Sequence, residues 1–73
     1  MILSAEPTDL DALRLRNEFL DLPGLVINAP QVARLLGLRS EHAAAILALL
    51  AREHFLTETA QGAYRRSPAR VML

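Results

Sequence analysis

The sequence predicts a mostly α-helical domain closed by a small β-hairpin. Apolar residues recur at three- and four-residue spacing in three separate windows, as they do in helices with one buried stripe. Gly37 leaves only a tight connection between the second and third windows, so two short helices are joined by a turn. After the third window Phe55–Thr59 alternates, Ala60-Gln61-Gly62 reads as a turn, and Ala63-Tyr64-Arg65-Arg66 returns as a strand.

Each element follows from local chemistry. Thr8-Asp9-Leu10-Asp11 reads as a helix start. Thr8 can cap, and the two aspartates suit the positive end of the helix dipole. Leu10, Leu13 and Leu20, with Phe19 beside them, then give the first apolar stripe, and Leu22-Pro23-Gly24 stops the helix, which is expected over about 9–21. Leu25-Val26-Ile27 is too short for a helix and suits one extended segment. Asn28 caps a second helix, and Gln31 three residues later completes a capping box. Pro30 falls in the first turn, where its missing N–H does no harm. Val32, Leu35 and Leu36 are the expected buried stripe and Gly37 the stop, giving a helix over about 29–36. Ser40 is the expected N-cap of a third helix running to about Glu53, with Ala43, Ile46, Leu47 and Leu50 on its buried face.

Composition bounds the function. The chain has 73 residues and a formal net charge of zero, from 8 basic residues, all arginine, and 8 acidic ones. That is one domain, with its core over about 9–67. A hydrophobic content of 52% excludes a disordered chain. The absence of cysteine excludes a disulfide or a thiolate metal site. Nor can His42 and His54 share a metal, since twelve residues of helix hold them about 18 Å apart. The longest apolar run, Ala43–Ala51, is nine residues, well short of the roughly 18 of a membrane span. Met1-Ile2-Leu3-Ser4 lacks the basic segment of a secretory signal, so a cytoplasmic location is expected. A domain this small has little room for a catalytic pocket beside its core, and no nucleophile motif or phosphate loop is present. No enzyme, cofactor, metal or small-molecule ligand is therefore expected. The charge is unevenly spread: residues 1–33 carry five acidic groups against Arg14 and Arg16, and residues 34–73 carry six arginines against three glutamates. An excess of arginine in one half suits a polyanionic partner.

Two helices joined by a Gly-containing turn and followed by a hairpin make a helix-turn-helix with a wing. Arg34-Leu35-Leu36-Gly37-Leu38-Arg39-Ser40, then Ile46-Leu47 and Leu50, then Phe55-Leu56, resembles the winged helix-turn-helix domain of small bacterial and phage transcription regulators. The spacing from Leu36-Gly37-Leu38 through Ile46 and Leu50 to Phe55-Leu56 matches that family without a gap, and the likeness covers about residues 9–67. It implies binding to double-stranded DNA, with the third helix in the major groove and the wing on the adjacent backbone. It places Arg39, Ser40, Glu41 and His42, at the start of that helix, nearest the bases. There Arg39 can fork onto guanine, Glu41 can accept from cytosine, and Ala44 and Ala45 can touch thymine methyls. Gln61 and Gly62 fall at the wing tip, and Gln31 and Arg34 on the second helix, all as backbone contacts. Strand alternation lets only one of Arg65 and Arg66 face the duplex.

The chain departs from the family in two places. His54 stands where the family has glycine, so a left-handed histidine is expected. Ala44, Ala45 and Ala48 stand where the family commonly has serine, arginine or lysine. Together with Leu49 they offer a flat surface, and the alternative expectation is a winged helix used for protein docking or dimerisation without DNA. Met1-Ile2-Leu3 and Val71-Met72-Leu73 have no place in such a core; they are expected as disordered ends or as a dimer contact. A homodimer is the expected assembly for a small domain making few base contacts.

Overall fold

The computed structural model describes residues 7–68. Helix α1 spans Pro7–Asp21, strand β1 Val26–Ile27, helix α2 Ala29–Leu36, helix α3 Ser40–Arg52, strand β2 Leu56–Glu58 and strand β3 Tyr64–Arg66. The strands form one antiparallel sheet in the order β1-β3-β2. The hairpin expected to be two-stranded thus gains a third strand. Val26 pairs with Arg65 and Ile27 with Tyr64, while Leu56, Thr57 and Glu58 pair with Arg66, Arg65 and Tyr64 on the other side. A two-residue strand carries no periodicity of its own, so its partner is visible only in three dimensions. The apolar segments Met1-Ile2-Leu3 and Val71-Met72-Leu73 lie outside the described residues.

The core draws on every helix. Ala12, Leu15 and Phe19 from α1, Ile27 from β1, Val32, Ala33 and Leu36 from α2, Ala43, Ile46, Leu47 and Leu50 from α3, and Leu56 from β2 are buried together. The stripe expected on α3 is the one that is buried. The stripe expected on α1 is not: Leu10, Leu13 and Leu20 are 52%, 53% and 50% exposed. This helix has apolar residues on two opposite sides, and the side bearing Phe19 and Leu15 makes the larger buried contact. On α2 the same correction applies to Leu35, which is exposed while Ala33 is buried in its place.

The helix ends set how α3 is presented. Asn28 Oδ1 accepts from the Gln31 N–H at 3.0 Å, and Gln31 Oε1 accepts from the Asn28 N–H at 2.8 Å, closing the capping box. Gly37 ends α2 with φ 70°, and the Leu38 N–H reaches back to the Ala33 carbonyl at 2.8 Å. Glycine is the natural residue at such a left-handed stop. Two expected caps are displaced. Thr8 lies inside α1, which starts at Pro7, a residue suited to a first turn. Ser40 is the first residue of α3 rather than its cap; Arg39 holds the cap position with an extended backbone and no side-chain capping bond. At the other end of α3, His54 has φ 67°, and the Phe55 N–H bonds the Leu50 carbonyl at 3.0 Å. Histidine thus performs the left-handed turn that glycine performs at Gly37.

Candidate nucleic-acid interface

Helix α3 is buried on one side and uncovered on the other. Its outward stripe is Glu41, Ala44, Ala45, Ala48 and Arg52, all exposed among the described residues. Positions three, four and seven apart share a helix face, so these five line up along its length. Methyl groups fill the middle and one charge of each sign marks the ends. The surface is flat and admits close approach by another molecule.

The first turn of α3 divides into free and committed groups. Arg39 and Glu41 are 86% and 84% exposed in their side chains and only loosely paired, at 3.5 Å. Ser40 is exposed, and its hydroxyl is not used as a cap. His42 is different: its Nε2 donates to Asp11 Oδ2 at 2.9 Å, tying α3 to α1. Asp11 is only 14% exposed and also accepts from Arg14 at 3.1 Å. The hydrogen bond from His42, helped by Arg14, holds the Asp11 carboxyl below its ordinary range against the opposing effect of partial burial. An open concavity at this end is lined by Asp11, Gly37, Leu38, Arg39, Glu41 and His42.

Arg65 and Arg66 lie on opposite sides of β3. Arg65 is exposed on the outer face, level with Val26 and Thr57 on the flanking strands. Arg66 turns inward, its guanidinium 4.7 Å from the centre of the Phe55 ring, and its Nε is buried without a hydrogen-bond partner among the described residues. Arg16 stacks on the same ring at 4.6 Å while bonding Glu53 at 3.1 Å. Phe55 in turn meets Phe19 edge to face, with centroids 6.4 Å apart. Arg66 is thereby a packing residue and Arg65 a surface one. Tyr64, also on the inner face, has its hydroxyl pKa raised by burial and by Glu58.

The remaining expected contacts divide similarly. Arg34 is exposed in the last turn of α2, whereas Gln31 gives its Oε1 to the capping box. At the wing tip Gln61 and Gly62 are exposed, and Thr59 Oγ1 accepts from the Gln61 and Ala63 N–H groups, which shapes the turn. Among the described residues, Arg34, Arg52 and Arg65 have no acidic partner, while Arg14, Arg16 and Arg39 each have one. Sequence reasoning missed the two side chain–side chain links that join α1 to the rest, Asp11 to His42 and Arg16 to Glu53. Both span more than thirty residues, and no spacing rule reaches that far.

Among the described residues, no group of three or more metal-ligating side chains is gathered, and no helix is long and apolar enough to cross a membrane. The chain matches no protein-family model, no curated protein and no solved structure.

Proposed function

We propose that this chain is a winged helix-turn-helix protein that binds double-stranded DNA, acting as a small transcription regulator. The outward face of α3 carries the reading. It is uncovered along its whole length and presented by a tight α2–α3 turn, with the β2–β3 hairpin following. A helix so placed fits the major groove, and its first turn meets the base edges. Arg39 is the residue for direct readout. Arg34, Arg52 and Arg65, exposed and without acidic partners among the described residues, are the residues for phosphate. Ala44, Ala45 and Ala48 add apolar contact but no hydrogen bonds, so specificity rests on few bases and on DNA shape.

A salt titration of duplex binding tests this. Affinity should fall linearly with the logarithm of salt concentration, as phosphate contacts require. Arg65→Ala should flatten that slope by about one unit, as loss of one phosphate contact does. Arg66→Ala should leave the slope alone and lower thermal stability, because its guanidinium packs on Phe55. No binding at low salt would overturn the proposal. The second reading, a protein-docking module, would then stand; it is favoured by the apolar, uncharged middle of the α3 face.

A further inference from the structure

Leu10, Leu13, Asn17 and Leu20 lie on the side of α1 turned away from its own core. All four are exposed, whereas Ala12, Leu15 and Phe19 on the opposite side are buried. Their spacing of three, four and three residues is the a, d, a, d order of two heptads. We propose that this face of α1 pairs, in parallel, with the same face of a second copy of the chain.

Two observations single out that occupant. First, Asn17 is the one polar residue in the seam and sits at an a position. A lone asparagine there fixes register and favours two strands, because it is satisfied by its own counterpart across the seam. Second, the flanking charges are complementary for a parallel pair. Arg16, which within its own chain bonds the exposed Glu53, falls at g and Asp21 at the following e, five residues on, the separation at which g of one helix meets e of the other, so pairing exchanges one carboxylate partner for another. The sequence repeats that spacing with the signs exchanged, at Asp9 and Arg14. An antiparallel pair would set Arg16 against Arg16 and Arg14 against Arg14, like charges in both cases. The opposite side of α1 is filled by its own domain, so each domain extends away from the seam. The inference stands on α1 alone and does not depend on DNA binding by α3.

With only two heptads the interface falls below the roughly 1,600 Å² of a standard complex, so association should be weak. Sedimentation equilibrium of the full chain over about 1 µM to 1 mM should show the mass rising from monomer to dimer. Leu13→Glu should weaken association at least roughly tenfold by placing a charge in the seam. The far-UV circular dichroism of the dilute chain should stay unchanged, since Leu13 is outside the core. Orientation is read separately. The chain has no cysteine, so Leu20→Cys introduces a single thiol. A parallel pair brings the two thiols level, and mild oxidation should give a disulfide-linked dimer. The antiparallel pair holds them about 15 Å apart along the axis and gives none. A monomer at every concentration would overturn the proposal. So would a dimer that survives Leu13→Glu, or one that Leu20→Cys fails to cross-link.

Discussion

His54 closes α3 in a backbone region where a side chain crowds the neighbouring carbonyl, with φ 67°. Gly37 does the same work for α2 with no such crowding. His54→Gly should therefore stabilise the domain, by about 0.5–1 kcal/mol once the greater freedom of unfolded glycine is set against the relieved strain. Thermal unfolding would read this as a rise of a few degrees; a fall would mean that the imidazole makes a contact worth more than the strain. Asp11 is the other residue whose chemistry reaches beyond its own element. Its carboxyl is held below the ordinary range by His42 and Arg14, so its contribution to stability is complete above the ordinary carboxylate pKa of about 3.9. It is lost as pH falls through the lower folded value. Urea midpoints followed from neutral to acid pH should fall more steeply for wild type than for Asp11→Asn, with the two curves converging in acid. Parallel curves would mean that the Asp11–His42 contact does not hold α1 to α3 in solution.

Helix α1 shows how far a single element can be read from its sequence. Two apolar stripes run along it, Leu10, Leu13 and Leu20 on one side and Ala12, Leu15 and Phe19 on the other, and periodicity accepts either. Tertiary packing selects the second: Phe19 meets Phe55 edge to face, and the Arg16 and Arg66 guanidinium groups lie over the Phe55 ring. Helices α2 and α3 were legible nearly to the residue, since the capping box, Gly37 and one dominant stripe on α3 agree with one another. The short strand β1 was legible as an extended segment, but its pairing with β3 and the links from α1 to His42 and Glu53 were not, since they depend on partners distant in sequence. The same distinction predicts an asymmetry within one helix. Leu15→Ala empties a fully buried site and should cost roughly 2–5 kcal/mol. Leu13→Ala, in dilute solution where the chain is monomeric, should change stability by no more than about 0.5 kcal/mol. Denaturant unfolding of the two variants checks this, and equal losses would mean that α1 is turned about its axis.

At the scale of the whole molecule, a chain without net charge presents a helix whose outer side is bare methyl groups between Glu41 and Arg52. Arg34, Arg52 and Arg65, without acidic partners among the described residues, come from α2, α3 and β3, so the proposed affinity for a duplex draws on three separate elements. The expected contacts were legible as positions on elements, but not in their availability: His42 and Gln31 spend hydrogen-bonding groups within the chain, and Arg66 packs on Phe55. If α3 enters the groove, the centre of its outer stripe is the place least able to tolerate negative charge. Ala45→Glu adds one carboxylate there, on an exposed helical position where glutamate is a good helix former, so folding should be preserved. The deciding measurement is a fluorescence-anisotropy titration of labelled duplex with wild type and Ala45→Glu at low salt, alongside thermal unfolding of both proteins. DNA binding through α3 predicts saturable binding by wild type, at least about tenfold weaker binding by Ala45→Glu, and closely similar unfolding midpoints. Equal binding by the two proteins, or none by wild type, would contradict it.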